Sequence, residues 1–333
     1  MPELRRDPIV GQWVIVQTER VRLPADFRPP RTDGTPGPCL YCAGHEQETP
    51  PELLAVRDET HAERDTPGWQ VRVVPSKFPT LRVEGDLGRR GHGLYDVSNG
   101  VGAHEVVVES PDHRASLATL SADAVEAVVG TWRDRMLDLR RDTRFRSVVV
   151  LRRHRTGADV ARGHPHSVVL ATPMLPLIVS EELAQARAYY EYRERCPFCD
   201  VLQQELDEEA RLVAVGDHVV AFAPFAARVP FETWLMPRRH GASFERSDAA
   251  VLTDLARVLH VVLRKLAGTL DDPPFTLVLH TAPAGEAESV YYHWHVELLP
   301  ALAQGPAVVE AGGFAVNALP PEDAARYLRD CAV

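Results

Sequence analysis

Lysine is nearly missing from this 333-residue chain: Lys77 and Lys265 are the only two, against 35 arginines. Alanine and valine are abundant as well, so genomic base composition accounts for the bias. Arginine excess alone is therefore no argument for phosphate binding. Long apolar runs are missing too. None approaches 18 residues, which excludes a transmembrane helix. The opening MPELRRDPIV holds no apolar stretch of the kind a signal peptide carries, which predicts a cytoplasmic protein. Cysteine is scarce, and five residues cannot make a disulfide scaffold. A net charge of -10 argues against a general nucleic-acid binder. With 45% hydrophobic and 25% charged residues the chain is globular, and its length points to two domains.

What cysteine there is falls into a pattern. Four of the five form two C-x-x-C pairs, CLYC at 39 and CPFC at 196, which read as metal or redox sites. Each pair opens a series of features that occurs twice. An aromatic-proline turn follows, in VRVVPSKFP and VVAFAPFAARVPF. A strand then ends near a lone histidine, His113 in HEVVVESPDH and His240 in FETWLMPRRH. Next comes an amphipathic helix of period 3.6 after a serine N-cap, Ser121 or Ser247. A β-branched strand leads to His-x-His, His164-Pro165-His166 or His293-Trp294-His295. The lone histidine precedes the His-x-His by 51 residues in one half and 53 in the other. The fold predicted is α+β: tandem duplicated domains, each a mostly antiparallel sheet with one long helix. Residues 1–173 form the first domain and 196–333 the second. A crossover helix spans 174–195. The Gly-rich RRGHGLYDVSNGVG is a long loop or hairpin.

Structural zinc takes four sulfur or nitrogen donors in a tetrahedron. Each half offers two cysteines from one turn and two distant histidines. One site is Cys39, Cys42, His113 and His164; the other is Cys196, Cys199, His240 and His293. The expectation is one or two zinc ions per chain, with unligated or redox-active thiols as the alternative. On a strand, His-x-His puts both imidazoles on one face. One can bind metal while the other, His166 in the first half, meets a substrate as nucleophile or acid–base group.

Together these residues resemble the galactose-1-phosphate uridylyltransferase family of the histidine-triad superfamily, in particular its two-zinc branch with the plant ADP-glucose phosphorylases. RRDPIVGQWVIVQTERVRLP, PCLYCAGHEQETPPE, VRVVPSKFPTL, HEVVVESPDH, GHPHS, CPFC and YYHWHVELLP follow the family's order from about residue 5 to 325. The resemblance implies a double displacement on nucleotide sugars. The second histidine of H-P-H, His166, takes the nucleotide as nucleotidyl-histidine, and a sugar 1-phosphate or phosphate then removes it. It makes His164 a metal ligand and implies a homodimer with each site completed across the interface. Glu182, His280, His293 and His295 fall near the mixed metal site of the enterobacterial type.

The resemblance also places Arg20, Arg22, Ser76 and Asn317 toward the substrate. Two departures stand out. The stretch before H-P-H reads RHRTGADVARG, and Val168 stands two places after His166 where the family has a hydrogen-bond donor. Losing one preorganised donor costs on the order of 10²–10³ in rate. Arg153, Arg155 or Arg162 is expected to supply the missing charge, guanidinium being suited to phosphate. Glu297 is either a residue that orients a histidine or an exposed strand residue. The function expected is a UDP-glucose:hexose-1-phosphate uridylyltransferase. The alternatives are an ADP-glucose-type phosphorylase, a nucleotide hydrolase, or a zinc- and nucleotide-binding homologue without catalysis.

Overall fold

The structure, a computed structural model, describes residues 3–16, 22–28, 39–57, 63–155, 163–302 and 315–333. Strands β1 (Glu3–Arg6) and β2 (Trp13–Val16) form an opening hairpin. Then come β3 (Leu54–Arg57), β4 (Trp69–Pro75), a small hairpin of β5 (Arg90–His92) and β6 (Tyr95–Val97), and β7 (Ala103–Val108). Helix α1 (Ala122–Leu139) precedes β8 (Ser147–His154) and β9 (His166–Thr172). Helices α2 (Leu177–Arg193) and α3 (Pro197–Glu208) lead into β10 (Leu212–Val215), β11 (Val219–Phe222) and β12 (Thr233–Pro237). Helix α4 (Ala249–Leu270), β13 (Phe275–His280), β14 (His295–Pro300), β15 (Ala315–Asn317) and α5 (Pro321–Asp330) complete the chain.

The repeat appears as topology. Ten strands run in the order β10-β11-β12-β14-β13-β8-β9-β7-β4-β3. Each half contributes five strands in the same order counted from its outer edge. Instead of ending in two separate sheets, the halves join where β8 pairs antiparallel with β13, from Phe275 opposite His154 to Leu279 opposite Val150. Two inner edges that would otherwise present unpaired N–H and C=O groups are thereby closed. The registers define a pseudo-twofold axis between β8 and β13. Extending the β8–β9 ladder by one pair sets Arg153 opposite His166, as His280 stands opposite His295. By the same mapping Val168 corresponds to Glu297, Val106 to Trp234 and Val74 to Phe222.

Period-two alternation sorts the sheet's side chains onto two faces. Val148, Val150, Val169, Ala171, Leu277, Leu279, Val296 and Leu298 point to the helix face and join one core with α1 and α4. The predicted stripe of α1 is buried from Val125 through Val128, Val129, Trp132 and Met136 to Leu139. Each such side chain contributes about 1.5–3 kcal/mol when fully buried. Ser121 caps α1, accepting from the Ala124 N–H at 3.2 Å. In α4 the N-cap is Asp248 and not Ser247, and no side-chain bond is made there. Trp132 Nε1 donates to Ser167 Oγ at 2.7 Å, tying α1 to β9 beside His166. The opposite face is covered by α2 and α3 over the second half and packs partly against Tyr41 in the first; it opens around Arg153 and Val168.

Candidate active site and metal centres

His166 begins β9 on the open face. Gly163, at φ +57°, turns the chain into the H-P-H segment, a conformation that strains any residue with a Cβ. His166 Nδ1 meets the His164 carbonyl at 2.8 Å. A carbonyl can only accept, so Nδ1 carries the hydrogen and the lone pair is on Nε2. Arg153 is exposed, on the same face and opposite His166. Directly opposed strand residues have Cβ atoms about 5 Å apart. Val168 shares the open face and is half-buried, with Val106 and Leu151 as cross-strand neighbours.

The two predicted sets of four donors each come together. The ligand atoms of Cys39, Cys42, His113 and His164 lie within 4.8 Å of one another, and so do those of Cys196, Cys199, His240 and His293. Thiolate and imidazole at tetrahedral bond lengths are about 3.5 Å apart. Here Cys42 Sγ is 3.4 Å from His113 Nδ1 and 3.7 Å from His164 Nδ1. Cys199 Sγ is 3.4 Å from His240 Nδ1 and 3.5 Å from His293 Nδ1. The ring pairs match as well, at 5.3 Å and 72° in one half and 5.3 Å and 67° in the other. Backbone carbonyls orient the rings: Ser110 accepts from His164 Nε2 at 2.8 Å, and Ser289 accepts from His240 Nε2 at 3.0 Å. That leaves Nδ1 as the donor to an ion. Burial holds the His164 pKa down at about 4, so its ring is neutral at pH 7. Either group could hold a metal ion.

The remaining predicted residues divide. Arg155 is committed to Asp272 at 3.0 Å, with His154 on the same carboxylate at 2.8 Å. Ser76 lies just past β4, its N–H on the His104 carbonyl at 2.8 Å. His104 pairs with Leu170, four residues along β9 from His166, or about 13 Å. Arg22 sits elsewhere: its carbonyl accepts from Tyr327 of α5, at the β10 end of the sheet. Six strand spacings, about 29 Å, separate β10 from β9. Asn317 is at that same end and 1% exposed. Both donors of its amide go to the Ala227 and Val229 carbonyls, and its oxygen accepts from the Leu319 N–H. The amide anchors β15 and has no donor left for a substrate, a correction to its expected role. Arg20 and Arg162 lie outside the described residues.

The counterpart of His166 in the second half is shut in. His295 is fully buried, stacked on Trp234 at 4.9 Å and on His280 at 4.7 Å. Glu182 of α2 closes over it, bonded to His280 Nδ1 at 3.1 Å and to the Tyr292 hydroxyl at 2.7 Å. Glu297 is buried, not an exposed strand residue, and receives Arg228 at 2.6 Å; Arg228 also reaches Glu232 at 2.7 Å. Glu182, His280, His295 and Glu297 form a third group of possible ligands, without His293, which belongs to the cysteine set. The charge here is largely balanced from within. Burial would lower the His280 pKa, but Glu182 and Glu297 outweigh it and lift it to about 9. Burial and His280 together hold His295 down at about 4. The sequence brings Glu182, His280 and His295 to notice, but nothing in the strand pattern marks Glu297 as buried. A raised histidine pKa contributes stability that is complete below about pH 6.5 and lost as pH rises through 9. Glu182→Gln should therefore cost roughly 3 kcal/mol at pH 6 and less at pH 10. Urea unfolding at both pH values measures this, and equal losses would contradict a protonated His280.

The model for the galactose-1-phosphate uridyl transferase N-terminal domain matches residues 1–176, and that for the C-terminal domain matches residues 182–308. The chain is similar to an ADP-glucose phosphorylase from Arabidopsis thaliana, at 31% identity over 100% of this chain and 93% of the relative. It is also similar to a galactose-1-phosphate uridylyltransferase from Thermotoga maritima, at 29% identity over 100% and 99%. A crystal structure of an Arabidopsis thaliana ADP-glucose phosphorylase with bound ADP-glucose superposes with a TM-score of 0.81, at 29% identity and full coverage of both chains. With matched domains spanning both halves and the fold shared throughout, the chain belongs to the galactose-1-phosphate uridylyltransferase family.

Proposed function

We propose that this chain is a nucleotidyltransferase that moves UMP from UDP-glucose to galactose 1-phosphate through His166. The observation that carries the reading is the His166 ring: its Nδ1–H is tied to the His164 carbonyl, so Nε2 holds the lone pair on an open face beside Arg153. Nε2 forms a bond to the α-phosphorus while the bond from that phosphorus to the bridging oxygen breaks, and glucose 1-phosphate leaves. A phosphate oxygen of galactose 1-phosphate then displaces the histidine. Both steps build charge on phosphoryl oxygens, and positioning and neutralisation decide their rate. Val168 offers no donor there. Arg153 is the cation in place, since Arg155 is spent on Asp272. Ser76, about 13 Å along the strands, suits the far end of an extended substrate.

A second reading has its own support. Full-length similarity to an ADP-glucose phosphorylase favours an ADP-sugar as donor and inorganic phosphate as acceptor, with the same role for His166. Intact mass after mixing with UDP-glucose or ADP-glucose separates the two by the nucleotide retained. His166→Ala should show no adduct with either. Arg153→Ala should form it on the order of 10²–10³ more slowly. An unchanged rate would remove Arg153 from the mechanism, and free UMP or AMP with no transfer would make the protein a hydrolase.

Zinc suits both sulfur–nitrogen sets as a structural ion. In the first half it would hold His164 in place, and with it the H-P-H turn that presents His166. The third group, already balanced by Arg228 and His280, needs no ion. Elemental analysis should give two zinc ions per chain. Cys39→Ser with Cys42→Ser, or Cys196→Ser with Cys199→Ser, should each remove one. Three ions in the unaltered chain would place a metal at Glu182 and His280.

The same reading carries a cytoplasmic homodimer. Arg22 is too far from His166 of its own chain to meet the same substrate, whereas a second copy can bring it there. Mixing His166→Ala with Arg22→Ala subunits should then regain activity, because one site of each mixed dimer is intact. No gain over the separate variants would put Arg22 outside the site.

A further inference from the structure

Between α3, the turn at residues 6–9 and the loop after β11 lies a cavity of about 370 Å³. This volume is in the range of small-molecule sites. Ile9, Val201, Phe225 and Trp234 give it an apolar wall. The pseudo-twofold mapping of Val74 onto Phe222 places Ser76 and Lys77 over Pro224 and Phe225. The cavity is therefore the second half's counterpart of the face proposed for the nucleotide sugar, with the charge reversed. Asp7, Asp200, Glu205 and Glu208 line it against Arg6 and Arg211. Arg211 is used up on Glu205 at 2.9 Å, Glu208 at 2.7 Å and Glu322 at 3.1 Å.

Asp7 is the unusual group. It is 8% exposed, and its Oδ1 accepts from the N–H groups of Ile9 at 2.7 Å and Val10 at 2.9 Å. Its Oδ2 has no hydrogen-bond partner among the described residues. The cation that acts on it, Arg228, is itself held by Glu232 and Glu297. That oxygen is not sealed from solvent: it is reachable from the cavity, where a bound donor can pair with it.

We propose that this cavity binds a small organic cation, with one ammonium on Asp7 and a compact apolar body against Trp234 and Phe225. Four acidic side chains against Arg6 and an Arg211 already held by three glutamates favour a cation over a phosphorylated ligand. The proposal stands independently of the reading of His166.

The test uses the full chain and phenethylamine as probe, with its uncharged isostere phenethyl alcohol as control, followed by ligand-detected NMR and calorimetry. Saturable binding with a Kd on the order of 1 mM or tighter is expected for the amine. The alcohol should bind at least tenfold more weakly, and UDP-glucose should not displace the amine. Asp7→Asn keeps the oxygen that accepts the two backbone N–H groups, so the variant should fold, and it should lose at least tenfold in amine affinity. Val201→Phe should abolish binding by filling the cavity, with thermal melting confirming the fold of both variants. Equal binding of amine and alcohol, displacement by UDP-glucose, full affinity in Asp7→Asn, or no binding at all would each overturn the proposal.

Discussion

The ladder between β8 and β13 is the interaction on which the rest depends. Backbone hydrogen bonds along it turn two five-stranded units into one sheet and hold them in a single register. Once the register is set, alternation does the sorting. Valines and leucines meet α1 and α4 on one side, while His166, Arg153, His280, His295 and Glu297 come out on the other. Side chains from both halves thus share a surface although nothing in their local sequence requires it.

That shared surface is used unequally. In the first half the histidine at the start of the inner strand is half-buried, across from an exposed arginine. At the matching place in the second half, α2 and the aromatic residues Phe198, Trp234 and Tyr292 close the space. The closed side has to settle its own charges, and it does so with Arg228 and a protonated His280 among three carboxylates. The two cysteine–histidine sets, by contrast, have kept the same geometry. What the halves have in common is the framework near their chain turns; what differs is the chemistry on the open strands.

Much of this was legible from residue order. The stripes of α1 and α4, the C-x-x-C pairs and the spacing to His-x-His follow from short-range periodicity and from the few residue types that bind metal. The rest depends on long-range placement. A strand that pairs with its own half has the same alternation as one that pairs with the other, so the joined sheet could not be read. Glu182 and Glu297 belong to a residue type that is normally solvated; Glu182 is buried against His280 and Tyr292 and Glu297 against Arg228 and His280, none of them a neighbour in sequence. Arg22 looks like a neighbour of the phosphates until the opening segment is seen to pack against the β10 edge. Asn317 is polar at a plausible place, but its amide is used by its own backbone. Helix α3 starts inside a C-x-x-C turn, where the cysteines draw attention away from the proline that opens the helix.

Joining the halves in one polypeptide has a consequence for how such a protein can change. In a symmetric pair of identical chains, every substitution appears on both sides of the axis. Here the position of His166 and that of His295 are inherited separately. Trp234 and Glu297 could be acquired without placing the same residues at Val106 and Val168. The ten-stranded sheet retains the shape of a symmetric dimer and is free of its central constraint, so one half can be fitted to turnover while the other accumulates features that a working site would not tolerate.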